Sequence, residues 1–256
     1  MPVTDNIVEV DHFRIKIGGK TIIKDLSFSV KRGEIFGLLG SNGCGKTTTI
    51  RALLGIYEAT SGELKINGEK FSPDSSVKIG YLPEERGLYK KESVIDVMAY
   101  FGKLRGMRRA KAWSLRYLNQ VGLREYAKTR IDKLSQGQQQ KIQLGITIMN
   151  QPDLLILDEP TKGFDPVNRK LLMDIIDDLH RRGCTIILIT HYMEPGKKQL
   201  PYPLLQRQFI QNQPDGVCRL CRNLSDHGLS YNRHGGLNSL RCFRGSTAGQ
   251  KQTEHQ

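Results

Sequence analysis

The sequence predicts an α/β fold, and three observations carry that prediction. A glycine-rich loop sits between an apolar strand and a helix, a second apolar strand ends in paired carboxylates, and a long helical stretch separates the two. The loop is Gly40-Ser-Asn-Gly-Cys-Gly45-Lys46-Thr47, which meets the pattern G-x-x-x-x-G-K-[ST] at every fixed position. Before it runs Ile35-Phe36-Gly37-Leu38-Leu39, and after it Thr48-Thr49-Ile50-Arg51-Ala52-Leu53-Leu54. Strand, loop and helix in that order turn a regular expression into a mechanism. Glycines let backbone N–H groups turn inward around an anion, and the positive end of the helix faces the phosphates. Gly40, Ser41, Asn42, Gly43, Cys44, Gly45, Lys46, Thr47 and Thr48 are therefore the candidate phosphate contacts. Lys46 is placed to reach the β- and γ-phosphates, and Thr47 to offer its hydroxyl to Mg²⁺.

The second strand, Leu154-Leu-Ile-Leu157, ends in Asp158-Glu159-Pro160. An aspartate at the end of a core strand can hold Mg²⁺ opposite the loop threonine, and Glu159 is placed to orient or deprotonate an attacking water. Together the loop and this strand predict a P-loop core that holds a nucleotide's phosphates and Mg²⁺. Residues 7–30 read as short strands turning at Gly18-Gly19, and residues from Arg86 to about Asn150 as helices, with Val94–Phe101 and Ala112–Leu118 in helical period.

Composition allows this reading and excludes others. With 256 residues the chain is long enough for a substantial core. Its longest apolar runs, Leu154–Leu157 and Ile186–Ile189, are strand-sized and far short of a membrane span. Met1-Pro-Val-Thr-Asp has neither a basic cap nor an apolar stretch, which predicts no secretory signal and an intracellular protein. Five cysteines do not make a disulfide framework. Of the net charge of +13, residues 196–256 supply +6, with nine Lys/Arg against three Asp/Glu. The remainder is spread over solvated faces such as Lys103-Leu-Arg-Gly-Met-Arg-Arg-Ala-Lys111, so no nucleic-acid partner is expected.

Between the two halves of the site lies Leu134-Ser135-Gln136-Gly137-Gln138-Gln139-Gln140-Lys141, with Ser135 a good N-cap for the segment behind it. Leu-Ser-x-Gly-Gln is the ATP-binding-cassette signature, and here the chain resembles the ATP-binding subunit of an ABC transporter, over about residues 5–194. Gly163-Phe164-Asp165 resembles the D-loop, and His191, after the apolar strand Thr185–Thr190, resembles the switch histidine. The resemblance implies a cassette at residues 1–195. Its parts would be an N-terminal antiparallel β-subdomain receiving the adenine and an inserted helical subdomain over about 86–150, whose outer surface meets a permease. It also implies that two cassettes pair head to tail, so that Ser135, Gly137 and Gln138 touch the ATP held by the partner's loop. As a homodimer or paired cassette, the chain would drive a separate membrane permease, in export, from the inner face of the cell membrane. A soluble cassette ATPase acting on ribosomes or nucleic acid is the rival reading, and an inactive truncated cassette a third.

Three departures qualify the resemblance, and Cys44 stands beside them as a separate feature. In Tyr81-Leu-Pro-Glu84-Glu85-Arg86, Glu84 takes the place of the Q-loop glutamine; its carboxylate can still serve Mg²⁺, but it adds a negative charge expected to be offset only by the metal. Ile17 stands where an aromatic residue usually stacks on adenine. Cys44 lies near a helix N-terminus, which predicts a lowered thiol pKa. Finally, the resemblance stops at Met193-Glu194. Residues 196–256 form a Gln-, Arg-, Asn- and Gly-rich basic tail without sustained period, read as an irregular or disordered replacement from a reading-frame slip that leaves the core without its last strands. Cys218-Arg-Leu-Cys221 with His227, His234 and Cys242 offers a weaker zinc-site alternative for that tail.

Overall fold

The computed structural model describes residues 5–40, 42–85, 87–190, 206–212 and 218–221. Its centre is a six-stranded sheet in the order β10-β9-β4-β8-β7-β6, made of β4 (Ile35–Leu39), β6 (Ile79–Leu82), β7 (Leu154–Asp158), β8 (Thr185–Thr190), β9 (Gln206–Asn212) and β10 (Cys218–Cys221). All neighbours pair in parallel except β10, which runs antiparallel to β9. Strands β4 and β7 are buried at every residue, as expected of parallel strands covered on both faces.

Side chains of β7 and β8 alternate between two cores, because successive residues of a strand point to opposite faces. Leu155, Leu157, Ile186 and Leu188 join one cluster with α2 (Val94–Leu104), α3 (Ala110–Gln120), α4 (Gln136–Ile148) and α5 (Pro166–Arg181). Leu154, Ile156, Ile187 and Ile189 join the other, with α1 (Lys46–Leu53) and the N-terminal sheet. That sheet is antiparallel: β1 (Asn6–Ile17) pairs with β2 (Lys20–Ile23), β3 (Phe28–Lys31) and β5 (Ser61–Ile66).

The stretch predicted to be helical holds α2, α3 and α4, joined by 3₁₀ turns at Arg124–Lys128 and Ile131–Lys133. Packing there is close enough to dictate residue type: a Cβ on Gly145 would lie 2.3 Å from the ring of Tyr117. The Tyr117 hydroxyl donates to the Lys141 carbonyl at 2.7 Å, which satisfies its polar end inside the core.

The tail departs from expectation where it is described. Gln206–Asn212 and Cys218–Cys221 are strands, and β9 extends the central sheet along β4 with Phe36 opposite Gln206 and Leu39 opposite Phe209. Such strands are held by backbone pairing, which a composition without apolar alternation does not advertise. His227, His234 and Cys242 of the zinc alternative lie outside the described residues, as does His191. Among the described residues no helix is long and apolar enough to cross a membrane.

Candidate nucleotide site

Three strand ends build the site. Register places Leu39 of β4 beside Thr190 of β8, Asp158 of β7 beside Ile189, and Leu82 of β6 beside Leu157. The loops that follow β4, β6 and β7 therefore open at the same edge of the parallel sheet, where ligands of such sheets bind.

The loop after β4 enters α1 through Gly45, whose φ of 93° lies in the left-handed region. A Cβ there would also sit 2.9 Å from Ile23, so conformation and space both demand glycine. Helix α1 has no side-chain cap and no acidic residue in its first turn, which leaves its leading amides for an anion. Lys46 is almost fully buried, and its ammonium donates to the Gly40 carbonyl at 2.7 Å. Asn42, Gly43 and Thr48 complete the described loop; Ser41 lies outside the described residues.

Thr47 turns to the second strand end: its Oγ1 donates to Asp158 Oδ2 at 2.8 Å, joining residues 111 apart in sequence. Asp158 is 1% exposed. Burial pushes its carboxyl up from the ordinary range; the Thr47 bond pulls down, the charges of Glu84 and Glu159 push up, and Lys46 pulls down. Asp158 and Thr47 thus present hard oxygen donors of the kind Mg²⁺ takes. Among the described residues no group of three or more His, Cys, Asp or Glu side chains could hold a metal. This donor set fits Mg²⁺ coordinated mainly by phosphates and water with one or two side chains, rather than a metal held by protein alone.

Glu159 adopts a left-handed backbone with φ 49°, unusual for a residue with a Cβ. Its amide donates to the Ile189 carbonyl at 2.9 Å, and Thr190 Oγ1 donates to Glu159 Oε2 at 3.1 Å. A residue anchored through its backbone amide and through its carboxylate, and 6% exposed, is what a water-orienting base needs. Thr190 carries no motif of its own, and only the strand pairing brings it here.

Two expectations about charge are corrected. Cys44 is fully buried, and burial raises its thiol pKa more than Lys46 and the local amides lower it. The helix-terminus argument holds for a thiol that water reaches; a desolvated thiolate is disfavoured more strongly. Likewise, the charge of Glu84 does not wait for a metal: Lys162 Nζ lies 2.6 Å from Glu84 Oε1. Sequence reading missed Lys162 because 78 residues separate it from its partner.

The signature segment forms a different kind of end. Ser135 caps α4 as a capping box, accepting from the Gln138 amide at 3.3 Å while its own amide donates to Gln138 Oε1 at 2.8 Å. A Cβ on Gly137 would meet Phe164 no closer than 3.7 Å, so nothing described within the chain requires glycine there. Among the described residues no hydrogen bond runs from this helix end to the phosphate loop. Gln140 ties the same helix to the site edge, its Nε2 donating to the Pro160 carbonyl at 3.0 Å. Asp165 caps α5, accepting from the amide and side chain of Asn168 at 2.8 and 2.7 Å, and the Asn168 amide holds its carboxyl below the usual range. Ile17 ends β1 at the hairpin tip, 42% exposed.

Known proteins resemble this chain over most of its length. The sequence profile of the family described as ABC transporter matches residues 23–162. An uncharacterized ABC transporter ATP-binding protein of Methanocaldococcus jannaschii is 47% identical over 189 residues, 73% of this chain and 69% of that protein. A Nod factor export ATP-binding protein I of Paraburkholderia xenovorans is 37% identical over 196 residues, 75% of this chain and 64% of that protein, so the chain spans under two thirds of that relative. A solved structure of an ATP-binding subunit of an ABC transporter superposes with a TM-score of 0.72, covering 86% of this chain and 91% of the other at 24% identity, a likeness of fold.

Proposed function

This chain belongs to the ABC transporter family of ATP-binding proteins, and on that premise we propose that it binds and hydrolyses ATP to drive a separate membrane permease. The observation that carries the reading is the Thr47–Asp158 hydrogen bond beside a buried Lys46: two distant motifs meet where a triphosphate and its metal must be held together. In this reading Gly40, Ser41, Asn42, Gly43, Cys44, Gly45, Lys46, Thr47 and Thr48 cradle the phosphates. The α1 amides and Lys46 neutralise charge, and Ile17 contacts the base without stacking. Thr47, Asp158 and Glu84 would hold Mg²⁺, which supplies charge neutralisation at the phosphates. Glu159, steadied by Thr190, accepts the proton of the attacking water, and His191 is assigned to the γ-phosphate side.

The signature end completes the proposal. Ser135, Gly137 and Gln138 form a helix N-terminus, with Phe164 at ordinary contact distance from a Cβ on Gly137. Such an end attracts phosphate, and a second copy of the chain, or a paired cassette, supplies it. ATP then joins two copies with Asp165 near the seam, hydrolysis parts them, and the motion passes to the permease. Export is the direction we assign, supported by the name of the Nod factor export relative, with the chain lying at the inner face of the cell membrane and no nucleic-acid partner. Residues 1–195 form the cassette in this proposal, with helices from about 86 to 150 facing the permease and 196–256 a basic tail.

The test is ATP hydrolysis by the purified chain beside Lys46→Ala and Glu159→Gln. Lys46→Ala is expected to abolish nucleotide binding. Glu159→Gln is expected to keep binding, lose hydrolysis and accumulate ATP-bound pairs in size-exclusion chromatography. Hydrolysis that survives both changes refutes the proposal.

A further inference from the structure

Among the described residues an ion pair, Lys162–Glu84, joins the loop after β6 to the turn after β7. Glu84 stands two residues beyond Leu82, and Leu82 is in register with Leu157, so Glu84, Asp158 and Glu159 bring three carboxylates to one end of the sheet. Like charges on one end of the sheet oppose the approach of a nucleotide bearing its own negative charge. Lys162 begins the turn that leads to Asp165, its amide bonded to the Glu159 carbonyl at 3.1 Å, and its ammonium reaches back to Glu84 at 2.6 Å.

We propose that Lys162 is a positioning residue that holds and neutralises Glu84 until a metal-bearing nucleotide arrives, when the metal takes the carboxylate and the lysine is released. This rests on the reading of Glu84 as a Mg²⁺-facing residue. Both side chains are partly exposed, Glu84 40% and Lys162 61%, so the pair is weak enough to exchange. The same exchange links nucleotide occupancy to the turn before Asp165, because one partner stands on each loop.

Three expectations follow. Without Lys162, Glu84 repels metal-free nucleotide more strongly and yields to the metal more readily. Without Glu84, Lys162 has no such effect. A charge-conserving Lys162→Arg preserves the behaviour, whereas a role confined to packing does not depend on charge in this way.

The experiment measures binding of a fluorescent ATP analogue with excess chelator and with Mg²⁺, taking the ratio of the two dissociation constants. Lys162→Gln is expected to raise that ratio about two- to fivefold, as befits a solvent-screened pair, and Lys162→Arg to leave it near wild type. In a Glu84→Gln background, Lys162→Gln is expected to leave the ratio unchanged. Equal rises in both backgrounds, or no rise in either, overturn the proposal. Lys46→Ala run in parallel separates the two levels: undiminished binding in that variant refutes the nucleotide-site reading itself, whereas lost binding there with an unmoved ratio refutes only the role of Lys162.

Discussion

The two helix ends that the family reading assigns to phosphate differ in how finished they are. The loop before α1 is locked into the core: Lys46 and Asp158 are buried, Gly45 has no room for a side chain, and Thr47 is already bonded to Asp158. The end before α4 is partly exposed and self-satisfied, with Ser135 and Gln138 bonded to one another. Buried, preorganised groups stabilise a charged ligand without rearranging; exposed ones act only when something else excludes water. The contrast teaches that a single copy can grip a nucleotide with one end alone.

Predictions that break or sharpen this contrast can be ranked. The largest effect belongs to Glu159→Gln, expected to lower the hydrolysis rate by about 10²–10⁴-fold with nucleotide affinity retained, measured by single-turnover phosphate release. Next, Gly137→Asp places a carboxylate where the proposed partner's phosphate must sit. ATP-dependent pairing is expected to disappear while one copy still binds nucleotide, and pairing that survives removes the distinction between the two ends. Third, Gly145→Ala must displace the Tyr117 ring and is expected to destabilise the fold by about 1–3 kcal/mol in denaturant unfolding.

Asp158→Asn is subtler. Because the folded carboxyl titrates above its unfolded value, the native state binds more protons, and stability falls as pH rises between the two pKa values. Removing the charge is therefore expected to leave the melting temperature at neutral pH unchanged or higher, while Mg²⁺ dependence of binding is lost. The smallest effect concerns Cys44: its maleimide reaction is expected to be slower than that of a free thiol and to quicken with rising pH.

Much of this site was legible in the sequence because its parts are local. The loop glycines, Lys46, the cap at Ser135 and the carboxylates after Leu157 each obey short-range rules of turns, caps and strand ends. What escaped was set by the third dimension. Lys162 and Glu84 meet only because β6 and β7 are neighbours, and Thr190 reaches Glu159 only because β7 and β8 are. Cys44 was misjudged because sequence shows the helix end but not the depth of burial. Strand β9 escaped because backbone pairing along β4 leaves no periodic mark in its residues.

The left-handed backbone at Glu159 has a corollary for anyone seeking a sturdier version of this molecule. Glycine at that position would relax a conformation worth about 1–3 kcal/mol of strain. On the role proposed for Glu159, such a heat-tolerant variant would be one that has lost hydrolysis, and screens that select on melting temperature alone would enrich for it.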